Sequence, residues 1–390
     1  MNIRNIAAAV VLCLAACQPA TPDTGSGRGA ATLPAPTWVE AQAPITLDNA
    51  NNIGYLGRLQ SPDTVSTIFD YSVSPDTVTL AGINFEQLMA WDLISGEPLF
   101  ATSRSDITRI FFSPDKTEIY GVDNDGGVGV FDTERGAETN AFSGHAAYNG
   151  AVAFEAEIGW LALGGEDGTV KVWDTYERQS LVTIDAHSRQ ISALAFSADG
   201  ARLATAGVDG AVRVWDWQNR AMLSELGLGE RVAPLLAFSP DGSTLAIGTD
   251  ADAMLWRVGT GDELIRLDAG SGGAIHLLMY SPDGQYVAAG SRSAGIAIWD
   301  AAGELIARLP DSSGEQISAD FSPDGTMLVT SALDKGAFLW NLSGSGGGAL
   351  SQAPLDAGTR AIYRVHWTSD GRALLLFDAI GPIYVWGVGS

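Results

Sequence analysis

Cysteine is nearly absent. The 390 residues hold two, Cys13 and Cys17, both within the first seventeen positions. The remainder of the chain therefore has no disulfide framework and no cysteine-built zinc site. Histidine is almost as scarce, with four residues: His145, His187, His276 and His366. Basic residues number 22 against 46 acids, for a net charge of −24. No Lys/Arg cluster interrupts that balance, so nucleic acid is a poor partner, because its recognition rests on neutralising phosphates. Such a surface stays soluble by self-repulsion; the sharper reading is a docking face for a basic partner or for divalent cations. Catalytic spacings are missing as well. There is no complete G-x-S-x-G elbow, no H-E-x-x-H, no G-x-x-x-x-G-K-[ST] and no Cys/His metal set. The expected assignment is no catalytic residue, no cofactor and no metal ligand.

What the chain has in quantity is apolar residues, 46%, and glycine, 46 residues. Gln190 to Trp217 shows how they are used. Its segments ISALAF, RLATAG and AVRVWD alternate apolar and polar residues over the length of a strand. Ser197-Ala198-Asp199-Gly200 and Asp209-Gly210 separate them, and each is a hairpin-turn signal. A lone meander of this size is marginal in water and needs copies of itself. The copies are present. The first turn recurs as Ser74-Pro75-Asp76, Ser113-Pro114-Asp115, Ser239-Pro240-Asp241-Gly242, Ser281-Pro282-Asp283-Gly284, Ser322-Pro323-Asp324-Gly325 and Thr368-Ser369-Asp370-Gly371. The third strand ends on Trp91, Phe131, Trp173, Trp215, Trp256, Trp299, Trp340 and Trp386, at spacings of 40, 42, 42, 41, 43, 41 and 46.

A period of about 40–45 residues with a Trp-Asp dipeptide is that of a four-stranded propeller blade. The dipeptide is intact at Trp91-Asp92, Trp173-Asp174, Trp215-Asp216 and Trp299-Asp300. From about Ile45 to the C-terminus the chain resembles a WD-repeat β-propeller. The resemblance implies a buried polar tetrad of His, Ser/Thr, Asp and Trp in each regular blade. His187, Thr205, Asp209 and Trp215 match it in one unit. In the preceding unit His145, Asp167 and Trp173 match at the same offsets of 22 and 28, but Leu163 stands where the hydroxyl belongs. The other units lack the His. The tetrad is read as structural, satisfying polar atoms that would otherwise be buried unpaired.

The last unit stops at Trp386 without a fourth strand, and Ile53 to Leu59 is a strand-like piece without a partner. Pairing them removes two open edges at once. The expected fold is all-β: a single eight-bladed propeller of four-stranded antiparallel blades, closed by this N-terminal strand. Seven blades is the runner-up, should the unit at Phe131 or at Trp386 be irregular.

Residues 1–17, MNIRNIAAAVVLCLAAC, read as a secretory signal: Arg4, an apolar run from Ile6, then small residues. The run is too short to span a bilayer. Leu14-Ala15-Ala16-Cys17 resembles the bacterial lipobox, which implies lipid attachment at Cys17 and an extracytoplasmic location in the cell envelope, anchored to the membrane by its acyl chains. An ordinary signal peptide with an incidental cysteine, or processing at Cys13, stays open. Residues 18–44, rich in Pro, Ala, Thr and Gly, read as a flexible tether, and 45–390 as the propeller.

Two motifs remain. Asp123-Asn124-Asp125-Gly126 resembles part of a calcium loop without its remaining ligands, and reads as a turn. Phe154 to Gly159 replaces the usual first turn of its unit. His276 and His366 fall in first-strand segments, and Asp320 is the one carboxylate expected inside such a segment. The functional expectation is a non-catalytic scaffold, monomeric, for a protein or peptide partner. The alternative is an enzyme or small-ligand or metal binder acting through the central channel.

Overall fold

The computed structural model describes residues 43–46, 49, 53–59, 67–259, 264–268, 273–291, 294–309, 316–332, 336–342, 352–355, 361–379 and 382–388. Among them are 32 strands in eight four-stranded antiparallel sheets, and no helix. Seven sheets are consecutive meanders, from Asp70–Val73 through Pro98–Ser103 in the first blade to Gln316–Phe321 through Gln352–Leu355 in the seventh. The eighth joins both ends of the ring. Ile362–Trp367, Ala373–Asp378 and Ile383–Val388 receive Ile53–Leu59 as their fourth strand. The pairing runs from Ile53 opposite Val388 to Leu59 opposite Ile383, with a bulge between Tyr55 and Gly57. Ahead of it Ala43 bridges Val388, and the Ile45 amide donates to the Gly371 carbonyl at 2.8 Å. The count is eight, not seven, because the units ending at Phe131 and Trp386 are both complete.

The core lies between blades. Eight apolar clusters each join neighbouring sheets, so every seam of the ring is filled. The closing seam packs Leu56 and Leu59 with Leu80, Trp91, Leu375 and Phe377. Burying apolar surface on both faces of each sheet supplies the stability that disulfides do not. First strands pack against the first strands of neighbouring blades and so surround the axis, whereas fourth strands have their own third strand as principal neighbour. Fourth strands such as Glu138–Ser143 and Ala221–Gly227 are mostly exposed, which places them on the rim.

The first turns explain the recurring Ser-x-Asp. In six blades the serine hydroxyl donates to the aspartate two residues on at 2.6 Å, and Thr368 does so to Asp370 at 2.7 Å. The next residue is left-handed, which glycine tolerates best: Gly200 has φ 66°, while Thr77 and Lys116 hold φ 60° and 66° where no glycine is available. In the third blade buried Glu155 takes over this role, its carboxylate accepting from the Ile158 amide at 2.6 Å.

Candidate functional site

The structure brings His187, Thr205, Asp209 and Trp215 together. His187 precedes the first strand of the fourth blade, and its Nδ1 lies 2.9 Å from Asp209 Oδ1 while Nε2 lies 2.7 Å from Thr205 Oγ1. Trp215 Nε1 donates to the same Thr205 oxygen at 3.1 Å. One proton arrangement satisfies all three contacts: Nδ1–H donates to Asp209, the Thr205 hydroxyl donates to Nε2, and the indole donates to Thr205. Arg213 Nη1 is 2.7 Å from His187 Nδ1 and 3.2 Å from Asp209 Oδ2. Burial, with the Arg213 charge, holds His187 below its usual range against the pull of Asp209. Partial burial pushes the Asp209 carboxyl up, but hydrogen bonds from His187, the Ser188 amide and Arg213 outweigh it and lower it to about 2.

Thr, His and Asp in this order share the connectivity of a hydrolytic triad. Thr205, however, is fully buried, and its oxygen already accepts from the indole. A nucleophile must face substrate, so this set is placed to satisfy buried polar atoms.

The third blade brings the same residue types together differently. His145 Nδ1 accepts from the Ala147 amide at 3.1 Å, so Nε2 carries the proton and donates to Thr169 Oγ1 at 2.9 Å. Thr169 passes the bond to Asp167 Oδ1 at 2.8 Å, with His145 and Asp167 themselves 4.0 Å apart. Trp173, lacking a hydroxyl at Leu163, donates to the Gly144 carbonyl at 3.1 Å. Thr330 and Trp340 of the seventh blade form the hydroxyl–indole half alone, at 2.8 Å.

The channel wall corrects one expectation. Asp320 is not the only carboxylate on a first strand; Asp70 opens the first strand of the first blade. Both acids cap the free edge of the next first strand. Asp70 Oδ2 accepts from the Ile110 amide and Asp320 Oδ2 from the Trp367 amide, each at 2.9 Å. Ser72 and Ser318 do the same for Phe112 at 3.2 Å and Val365 at 3.3 Å. The physical reason is that an inner edge strand presents unpaired N–H groups. His366 Nδ1 lies 2.8 Å from Asp320, and its ring meets Tyr71 edge-on at 5.2 Å. Arg364 stacks over Tyr71 at 5.2 Å and reaches Asp70 at 3.8 Å. Burial pushes the Asp70 carboxyl up, in spite of Arg109 and Arg364 nearby. His276 lies on the first strand of the sixth blade.

A second feature lies on the surface at the closing seam. An open groove of about 160 Å³ runs between the first turn and the third-to-fourth-strand turn of the first blade and the eighth blade. Its apolar lining includes Val78, Leu93, Ile94, Leu375 and Val385, with Asp76, Asp370 and Arg372 among its polar residues. Ile94 is 50% exposed. The groove joins residues far apart in sequence, and only the expected closure pointed towards it. Among the described residues no group of three His, Cys, Asp or Glu is placed to hold a metal ion. Asp123 instead accepts from the Asp125 and Gly127 amides at 2.8 Å, which makes its segment a turn. Cys17 lies outside the described residues.

No curated protein matches the chain. Among solved structures, the computationally designed Ika8 protein is similar over 86% of this chain and 100% of its own, at 21% identity and a TM-score of 0.68. Sqt1 of Chaetomium thermophilum, bound to the N-terminus of the ribosomal protein L10, is similar over 82% of this chain and 96% of its own, at 19% identity and a TM-score of 0.66. At these identities the likeness shows the fold. A family model described as the IFT122 first beta-propeller matches residues 106–387, most of the ring, and the chain belongs to this family of WD-type β-propellers.

Proposed function

We propose that the protein is a non-catalytic platform that binds a protein or peptide partner. The observation that carries this reading is the seam groove, where Ile94 is half exposed beside the partly exposed Val78 and Leu93, over a floor that includes the buried Leu375 and Val385. The Sqt1 structure supports it by analogy, since that propeller is seen with a peptide of a ribosomal protein. The WD-type fold is also consistent with a scaffold, and the triad-like set at His187 has its hydroxyl, that of Thr205, fully buried.

We further propose that residues 1–17 are a secretory signal with a lipobox, that Cys17 carries the lipid, and that 18–44 tether the propeller, residues 45–390, as a monomer outside a bacterial membrane. The support is the order of the segments: a short apolar run ending at Cys17, then a stretch poor in apolar periodicity, then the ring.

A photo-crosslinking side chain at position 94, in cells expressing the full chain, tests the platform reading. The expected result is one discrete adduct that is absent when the crosslinker sits at Leu305 on the rim. Recovery of the chain alone from position 94 contradicts it. In the same cells Cys17→Ala is expected to move the protein from the membrane pellet to the soluble fraction.

A further inference from the structure

The first four blades share a three-residue turn between their second and third strands, at 84–86, 124–126, 166–168 and 208–210. Its middle residue is Asp125, Asp167 and Asp209 in the second, third and fourth blades, but Phe85 in the first. Aspartate has a folding reason to be there: Asp167 and Asp209 accept from the amides of Thr169 and Ala211, two residues on. In the first blade Asn84 takes this role, its side-chain oxygen accepting from the Glu86 and Gln87 amides at 2.8 and 2.7 Å. The turn is complete without residue 85, and yet a large apolar ring stands there, 49% exposed.

Phe85 has a base. Its ring lies 5.0 Å from that of Phe69, which is half-buried on the apolar seam between the first and second blades. The Phe69 amide donates to the Ile83 carbonyl at 3.0 Å, which fixes that base beside the turn. Among the described residues, the other exposed large apolar side chains lie on fourth strands, first turns or third-to-fourth-strand turns; Phe85 is the one at this end of the ring. An open aromatic on a seated aromatic is the kind of anchor that protein interfaces concentrate.

The charge outward of the pair is negative. The Arg104 amide donates to the Glu86 carbonyl, and the Arg104 guanidinium is already shared by Asp106, at 2.9 Å, and Glu138. The Asn124 amide in turn donates to the Asp106 carbonyl, which brings Asp125 alongside. Four carboxylates therefore accompany one guanidinium. Toward the channel the charges balance, Asp70 and Asp320 against Arg109 and Arg364.

We propose that Phe85, on Phe69, anchors a peptide segment of a partner protein in which an apolar side chain is flanked by lysine or arginine. The apolar side chain covers the open ring, and the cations meet Glu86, Asp106 and Asp125. This extends the platform reading to a second surface, at the opposite end of the first blade from the seam groove.

Selection of random dodecapeptides displayed on phage against the purified full chain tests it. The selected sequences are expected to pair an aliphatic or aromatic residue with Lys or Arg, and as synthetic peptides to bind the chain saturably. Phe85→Asp gives the first blade the residue of its neighbours and should keep the fold, yet weaken that binding at least about tenfold, as loss of an aromatic anchor implies. Glu86→Lys keeps both rings and should weaken it several-fold, which decides the case even where the first variant loses stability. Ile94→Asp, which alters only the seam groove, should change nothing. The proposal is overturned if no peptide is selected, if the selected peptides are neutral or acidic, or if they bind both the Phe85→Asp and Glu86→Lys proteins as they bind the parent. Binding lost on Ile94→Asp would assign the peptides to the groove, which overturns this surface and leaves the platform reading intact.

Discussion

The third and fourth blades share residue types at equal spacing, yet their histidines find different partners. In the fourth, His187 donates from Nδ1 to Asp209 and the chain of bonds ends in the Trp215 indole. In the third, His145 donates from Nε2 to Thr169, and Trp173 turns to a backbone carbonyl. A single position decides between them: Thr205 in one blade, Leu163 in the other. Without the inner hydroxyl the network is rebuilt from Thr169, nearer the surface. The blade tolerates this because a backbone acceptor lies within reach of the indole. What must be conserved physically is the pairing of buried donors, and more than one set of partners achieves it.

Breaking this contrast should have unequal effects. Thr205→Val leaves the indole of Trp215 and Nε2 of His187 buried without partners. The expected loss is about 2–4 kcal/mol, read as a lower urea midpoint at unchanged m value. Thr169→Val, at a half-buried position where water can replace the hydroxyl, should lose about 1 kcal/mol. Equal losses would mean that the two networks bear equally on stability.

A smaller effect separates the histidines by pH. Both are held below their ordinary range, burial being the main cause. Unfolding therefore takes up protons as pH falls through about 6.5, the unfolded value. The associated stability is complete above that pH and declines below it, by at most about 1.4 kcal/mol per pH unit for each group. Urea titrations at pH 7.5 and 5.5 should show this decline in the parent and a shallower one in His187→Asn. An unchanged slope in the variant would remove His187 as a source.

Much of the ring was legible because its signals are local and repeated. The Ser-x-Asp turn and the aromatic at the end of each third strand recur in nearly every unit, and the missing fourth strand after Trp386 pointed to Ile53–Leu59. The tetrad of His187 was implied by the resemblance to WD-repeat blades, whose pattern His187, Thr205, Asp209 and Trp215 match. The offset rule fails where hairpins differ in length: Trp256 opposes Leu245, one residue closer than Trp215 opposes Leu203, so Ile247 rather than Ala246 takes the hydroxyl's place. The Trp256 indole N–H is buried there with no partner among the described residues. The channel wall was less legible, because Asp70 and Arg364 belong to different blades and nothing in their local patterns records that they meet. The seam groove is of the same kind, joining the turn at Asp76 to the turn at Asp370.

Closure of the ring by the N-terminal strand underlies every placement above, and a disulfide tests it most directly. Arg58 and Tyr384 are opposite one another in the closing pair. With Cys13 and Cys17 replaced by serine, Arg58→Cys and Tyr384→Cys in one chain should oxidise to an intramolecular disulfide in monomeric protein and raise its melting temperature. Two free thiols in the folded, oxidised monomer, or disulfides only between chains, would contradict closure.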